Sequence, residues 1–344
     1  MRKTVLAVFV LGILLQPANN QFQAQEDPTH LRMNVVLVQL SIAVTDGKGN
    51  YVNGLRPENF EVTEDKISQK ISSFEEGSGS GTDADPNEAG PPDQILQATV
   101  SRDAQPADSH LQTSSTALTE PHGNQASVFV LFDTSNYMYR SFVFAQDAIT
   151  DFIRSMDNAS RIAFYSYCRD LSRAMQLTSD HFRIVNAVRS TVAGDDAALY
   201  NSLLLTVKDA APLKGRKAIV VFSNGPDNAS SVPPEDVAEL AQSTGTIIYI
   251  ISTRQAEDDP ASAAAFERMS KVSGGKAYFA KNWLDEKKAF SSIREDLVHL
   301  YTLSYYPQAN SNKGWRSIKV RLVGKDLQKY RLRTRDGYRL VAQR

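Results

Sequence analysis

The run Ser127-Val128-Phe129-Val130-Leu131-Phe132-Asp133-Thr134-Ser135-Asn136-Tyr137 decides the fold. Val128 to Phe132 is a continuous apolar stretch, the pattern of a strand buried on both faces in a parallel sheet. Downstream, strands and helices alternate. Ala145, Ile149, Phe152, Ile153 and Met156 share one helical face, and Arg161 to Tyr167 reads as a second strand. Helices near Asp180 to Arg189 and from Ala197 to Ala210 precede a strand at Ala218 to Ser223. Pro234 opens a helix as a first-turn proline, the helix runs to Gly245, and Thr246 to Ser252 is another buried strand. A helix over Ala261 to Val272 stops at Gly274-Gly275, a strand covers Lys276 to Phe279, and an amphipathic helix covers Leu284 to Leu300. This alternation predicts an α/β domain over residues 126–300, a doubly wound, mostly parallel sheet with helices on both faces.

On either side the pattern turns to β. In Asn34 to Thr45 the residues Val36, Val38, Leu40, Ile42 and Val44 alternate on one face, and Asp46 to Asn50 supplies a turn. Short strands follow at Pro57 to Val62 and Gln69 to Phe74, and residues 34–75 are too short to close a sheet of their own. After the α/β domain, Tyr301 to Tyr306, Arg316 to Val323 and Tyr330 to Thr334 are again strands, within residues 301–341. The first segment is acid-rich toward its end and the last is basic, so the two are expected to fold together as one small antiparallel β module beside the α/β domain. Alternate residues of a strand point the same way, so Arg331, Arg333 and Arg335 are expected to form a solvated face. Residues 76–125, opening with GSGSGTDADPNEAGPP, read as a flexible linker.

Met1-Arg2-Lys3 followed by the apolar run Thr4 to Leu15 reads as a secretory signal over residues 1–24. The protein is therefore expected to be exported, whether periplasmic, surface-bound or secreted, and to meet a membrane only through an uncleaved signal. Across 344 residues, 42% are hydrophobic and 22% charged, a globular composition. Lys+Arg 38 against Asp+Glu 39 leaves a net charge of -1, so no global field attracts nucleic acid. A single cysteine, Cys168, excludes an intramolecular disulfide and a thiolate zinc cage. No G-x-S-x-G, Walker-type loop or G-x-G-x-x-G follows a strand, which argues against an enzyme. Cys168 is expected to be a buried, inert side chain, and Trp283 and Trp315 to serve packing. Asn158 and Asn228 each open a glycosylation sequon.

Ligands of an open parallel sheet bind outside the carboxyl ends of its strands. The first buried strand ends at Asp133-Thr134-Ser135, which places a carboxylate and a hydroxyl at that edge, oxygen ligands suited to a hard cation such as Mg²⁺.

At these residues the chain resembles the von Willebrand factor type A domain, and within it a bacterial group of exported proteins with flanking β segments. The resemblance is carried by VTDGKGNYVNGLRPENFEVTEDKISQKISSF (Val44 to Phe74), FVLFDTSNYM (Phe129 to Met138), DAALYNSL (Asp196 to Leu203), IVVFSNGPDN (Ile219 to Asn228), SGGKAYF (Ser273 to Phe279) and YTLSYYP (Tyr301 to Pro307). It implies protein recognition or adhesion outside the cytoplasm. It also implies a metal-ion-dependent adhesion site built on D-x-S-x-S, a threonine at a later helix start and an aspartate after a later strand. Asp133 and Ser135 match the first two positions, whereas Tyr137, Ala197 and Asn224 stand at the other three. Asn224 can still offer a neutral oxygen, and Asp195, Asp196 and Asp227 lie near enough in sequence to act as substitutes. The site thus reads as degenerate. The expectation is a non-enzymatic interaction or adhesion scaffold that binds another protein through Tyr137, Tyr139 and Arg140 without a cofactor. Two alternatives stay open: Mg²⁺-dependent adhesion through substitute ligands around Asp133 and Ser135, and a structural part of an envelope assembly.

Overall fold

A computed structural model of the chain describes residues 37–77, 126–156, 160–253 and 258–340. The signal expected at 1–24, Val36, Asn158 and nearly all of the linker expected at 76–125 lie outside the described residues. In chain order the elements are β1 (Val38–Thr45), β2 (Phe60–Glu64), β3 (Ile67–Gln69), β4 (Ile71–Glu75), β5 (Ser127–Asp133), α1 (Phe142–Ser155), β6 (Arg161–Tyr167), β7 (Leu171–Thr178), α2 (His181–Arg189), α3 (Leu199–Ala210) and β8 (Lys217–Ser223). They continue with α4 (Pro234–Thr244), β9 (Ile247–Ser252), α5 (Pro260–Ser273), β10 (Ala277–Phe279), α6 (Trp283–His299), β11 (Tyr301–Tyr305), β12 (Trp315–Leu322), β13 (Arg331–Arg333) and β14 (Gly337–Arg339).

The central sheet has six strands in the order β10-β9-β8-β5-β6-β7, parallel except for β7. Side-chain alternation along β5 sorts its apolar run between two cores. Val128, Val130 and Phe132 pack with residues of α1, α2 and α6 on one face. Phe129 and Leu131 pack with residues of α3, α4 and α5 on the other. The doubly wound α/β architecture expected from the sequence is present. The sequence reading has no counterpart for β7: Leu171 to Thr178 carries no continuous apolar run, because an antiparallel edge strand is half-exposed.

The flanking segments form the expected β module, as two four-stranded sheets ordered β13-β1-β11-β4 and β14-β12-β2-β3. The first sheet alternates C- and N-terminal strands and the second sets the C-terminal pair β14-β12 beside the N-terminal pair β2-β3, and the inward side chains Val38, Leu40, Ile42 and Val44 meet Phe60, Val62, Tyr301, Leu303 and Ile318 in one shared core. Glu64, fully buried, accepts hydrogen bonds from Tyr305 Oη (2.8 Å), Tyr338 Oη (3.0 Å) and Arg316 Nη1 (2.8 Å). One carboxylate thereby joins four strands from both ends of the chain.

This module docks against the amino edge of the parallel sheet, and here the structure corrects the expectation for the arginine series. Arg333 and Arg335 are not a solvated face. The Arg335 side chain is buried and donates to the Gln242 carbonyl at the end of α4 and to the Gln39 carbonyl of β1. Arg333 donates to the Gly274 carbonyl and to the carboxylate of buried Asp296, which also accepts from Tyr249 Oη (2.7 Å) and Tyr51 Oη (2.9 Å). Gly274 ends α5 in the left-handed region, at φ 89°, and its Cα faces the Arg335 backbone so closely that a Cβ would lie 3.2 Å from that nitrogen. Only Arg331 remains exposed. The expected packing role of Trp283 also fails: it is 59% exposed at the start of α6.

Removing one partner of a buried ion pair leaves the other charged and unsatisfied. Asp296→Ala is therefore expected to cost about 3 to 5 kcal/mol in urea unfolding. Lys217, 8% exposed, donates to the Ala211 (2.8 Å) and Leu213 (3.0 Å) carbonyls beyond the end of α3. Burial, reinforced by the charge of Arg335, pulls its ammonium down from 10.5 to about 8. Between those values the unfolded chain holds a proton that the folded chain has released, so this residue makes stability rise with pH. Melting curves from about pH 7 to about pH 10 are expected to show that rise, at most about 1.4 kcal/mol per pH unit, and Lys217→Met to flatten it.

Candidate functional site at the carboxyl edge

Strand register sets out the edge opposite the β module. Asp133 at the end of β5 pairs with Tyr167 of β6, Ser223 follows the Phe132 and Phe222 pair of β5 and β8, and Ser252 of β9 pairs with both Ser223 and Phe279. Tyr167, Asp133, Ser223, Ser252 and Phe279 thus stand in one row, and the loops that follow them carry the residues singled out in the sequence.

Asp133 is fully buried. Its Oδ1 accepts from the Ser135 backbone N–H (2.9 Å), and its Oδ2 accepts from Ser223 Oγ (2.8 Å), which itself accepts from Tyr167 Oη (3.0 Å). Burial pushes the Asp133 carboxyl above its usual range, against the pull of these hydrogen bonds, and burial beside Asp133 pushes the Tyr167 phenol well up. Ser135 Oγ is buried beside this group without a hydrogen-bond partner.

Asn224 is half-buried and points its amide across the edge. Its Nδ2 donates to the Tyr137 carbonyl (2.7 Å), and its Oδ1 accepts from Thr253 Oγ1 (2.8 Å). Asp227 serves α3: Oδ2 accepts from the Tyr200 N–H (2.9 Å), and Oδ1 accepts from the N–H groups of Ala229 (3.2 Å) and Ser230 (2.8 Å). The position before α3 is Ala198, which has no capping oxygen, so the β8–α4 loop supplies the cap from outside. Asn228 Oδ1 likewise accepts from the Ala197 N–H (2.8 Å). Asp196 faces Arg169 at 3.7 Å.

Tyr137 is half-buried, while Tyr139 and Arg140 are exposed. Tyr139 lies across the neighbouring loop, its hydroxyl donating to the Gly194 carbonyl (3.0 Å). Gly194 is pressed onto Cys168, where a Cβ would fall 2.7 Å from the thiol sulfur. Cys168 is only partly buried and lines a cleft of about 340 Å³ with Thr134, Tyr167 and Thr191.

The donor set does not make up the ion site that the resemblance implies. A hard cation needs several free oxygen ligands, at least one of them anionic. Both Asp133 oxygens and both Asp227 oxygens already accept protein hydrogen bonds, Asn224 spans two loops, and Ala197 has no oxygen in its side chain. Ser135 Oγ is buried without a hydrogen-bond partner, exposed Asp195 meets the Tyr139 hydroxyl at 3.4 Å, and Asp196 lies 3.7 Å from Arg169. Among the described residues no group of three His, Cys, Asp or Glu side chains is placed to hold a metal. The sequence reading missed Ser223, Tyr167, Thr253 and Asn228, polar residues that carry no motif and matter only through their partners.

Ser223→Ala removes the donor to Asp133 and the acceptor of both Tyr167 Oη and the Gly225 N–H, leaving three buried polar groups short of a partner. It is expected to lower stability by about 2 kcal/mol, measured by urea unfolding.

The model of the von Willebrand factor type A domain family matches residues 127–292. No curated protein matches the chain. Among solved structures, the conserved hypothetical protein BatB from Bacteroides thetaiotaomicron is similar at 15% identity and a TM-score of 0.42, covering 50% of this chain and 97% of that one. An aerotolerance-related membrane protein from Bacteroides fragilis aligns at 17% identity and a TM-score of 0.43, over 50% of this chain and 98% of that one. The vWF domain of the type V pili tip protein Mfa5 from Porphyromonas gingivalis aligns at 12% identity and a TM-score of 0.41, over 50% and 94% of the two chains. The family match, with the six-stranded sheet wound on both faces, identifies residues 127–292 of this chain as a von Willebrand factor type A domain.

Proposed function

We propose that the protein is an exported, non-catalytic recognition scaffold that grips another protein with the loops and helix starts of the carboxyl edge, without a cofactor. The observation that carries this reading is the distribution of exposed apolar side chains. Tyr139, Val143, Phe144, Val192, Trp283 and Leu284 are between 49% and 80% exposed. All stand at that edge: in the loop after β5, the first turns of α1 and α6, and the loop before α3. Aromatic anchors beside an arginine, here Arg140, are the side chains that dominate protein interfaces, because they bury much area for little conformational entropy. The family resemblance supports protein recognition as the task. Export rests on the basic start and apolar run of the first fifteen residues, and no helix of the described residues is long and apolar enough to cross a membrane.

Among the described residues, six further large apolar side chains are exposed away from this edge and define the competing reading. Leu37, Tyr306, Trp315 and Val323 belong to the β module, and Phe182 and Leu205 to α2 and α3. A photo-crosslinking residue placed at Phe144 or Trp283 of the full chain, in its native cell, is expected to give a discrete protein adduct. The same residue at Val323 or Phe182 is expected to give about ten-fold less. Phe144→Asp combined with Trp283→Ser is expected to abolish the adduct formed from a probe at Val143 while leaving the melting temperature unchanged. Adducts from Val323 with none from the edge would instead make the β module the contact surface and the α/β domain its spacer.

A further inference from the structure

We propose that Asn224 is a latch that ties the carboxyl-edge loops to one another by hydrogen bonds, so that the arrangement of this edge is set within the protein and does not respond to divalent cations. Three observations meet in this residue. First, its amide is used at both ends by different loops: Nδ2 holds the Tyr137 carbonyl after β5 (2.7 Å), and Oδ1 takes the hydroxyl proton of Thr253 after β9 (2.8 Å). An aspartate at this position has no proton for the Tyr137 carbonyl and would set an anion against it, so the amide is the chemical form that the contact requires.

Second, the other links of the edge are also internal. The Gly194 N–H donates to the Thr134 carbonyl (2.7 Å) and the Asn136 N–H to the Asp195 carbonyl (2.8 Å), joining the loop after β5 to the loop before α3. Asn228 and Asp227 join that second loop and α3 to the loop after β8. The Asn224 amide completes the circuit, joining the loops after β5, β8 and β9. Third, the carboxylate at the centre is already satisfied. Asp133 accepts from Ser135 and Ser223 with no exposed surface, so a cation would have to displace protein donors to reach it. The carboxylates of Asp133 and Asp227 and the amide of Asn224, which would otherwise turn to an ion, turn to protein donors and acceptors.

The latch deepens the proposed function and rests on it only for the use of this edge as an interface. Its test reads the motion of the loop, so the two proposals fail separately. Amide hydrogen exchange is measured on the full chain for the wild type, Asn224→Ala and Thr253→Val, with EDTA and then with Mg²⁺ or Mn²⁺ at millimolar concentration. Asn224→Ala is expected to speed exchange about ten-fold at the Asn136, Met138 and Ser141 amides, with Val130 and Val220 in the central strands unchanged. Thr253→Val, which frees only the oxygen end of the amide, is expected to give a smaller acceleration at the same three amides. Wild-type exchange and melting temperature are expected to be the same with either cation as with EDTA. Wild-type rates at those amides in Asn224→Ala would overturn the proposal. If Asn224→Ala does not fold, wild-type rates in Thr253→Val would do the same. Slower exchange in the wild type on adding Mg²⁺ or Mn²⁺ would also overturn it, by showing that an ion does the tying.

Discussion

The carboxylate of Asp296 lies where the two parts of the molecule meet and collects hydrogen bonds from both. It closes α6 on the amino edge of the central sheet, receives Tyr249 from β9 and Tyr51 from the turn after β1, and takes the guanidinium of Arg333 from β13. A buried carboxylate is costly unless both its oxygens are hydrogen-bonded and a counter-charge is present, and here both conditions are met by groups from distant parts of the chain. Directional bonds of this kind specify one docking geometry, whereas apolar contact between a sandwich and a sheet edge would allow several. Glu64 plays the corresponding part inside the β module, where it fixes β2 against β11, β12 and β14.

Such anchoring leaves the two edges of the parallel sheet with different tasks. The amino edge is covered by the β module, which takes the ends of α4, α5 and α6 through Gln242, Gly274 and Asp296. Its carboxyl edge stays open, with loops held to one another by side-chain amides, hydroxyls and carboxylates. Asp227 illustrates the economy of this arrangement: one side chain caps α3 and orders its own loop. A scaffold fixed at one end and built from hydrogen-bonded loops at the other suits recognition, since loops on a rigid sheet present side chains without reorganising the core.

Much of this was legible in the residues. The apolar run Val128 to Phe132 carries the parallel sheet because a strand covered on both faces has no polar positions to interrupt it. Alternation from Val38 to Val44 marks a strand with one buried face for the same steric reason. Resemblance around FVLFDTSNYM and IVVFSNGPDN brought out Asp133, Ser135 and Asn224 as the residues of interest. The failures have physical causes of equal clarity. Arg333 and Arg335 read as solvent-facing because arginines on a short strand usually are, and only the docked α/β domain turns that face into an interior. Strand β7 went unseen because a half-exposed edge strand lacks the apolar signal. Asp227 looked available as a ligand because its partners, the N–H groups of Tyr200, Ala229 and Ser230, are backbone atoms of no particular sequence.

Apart from the edge strands β7 and β14, the sequence by itself determined the element types, their order and the two-part architecture, since these follow from hydrophobic periodicity and turn residues, which are local properties of a chain. The tertiary structure alone decided how the polar side chains are spent. Whether a carboxylate holds an ion, caps a helix or pairs with an arginine depends on which donors reach it. Those donors come from residues such as Tyr51, Ser223, Thr253 and Arg333, brought together across the chain by the packing of apolar strands and helices that themselves carry none of the chemistry.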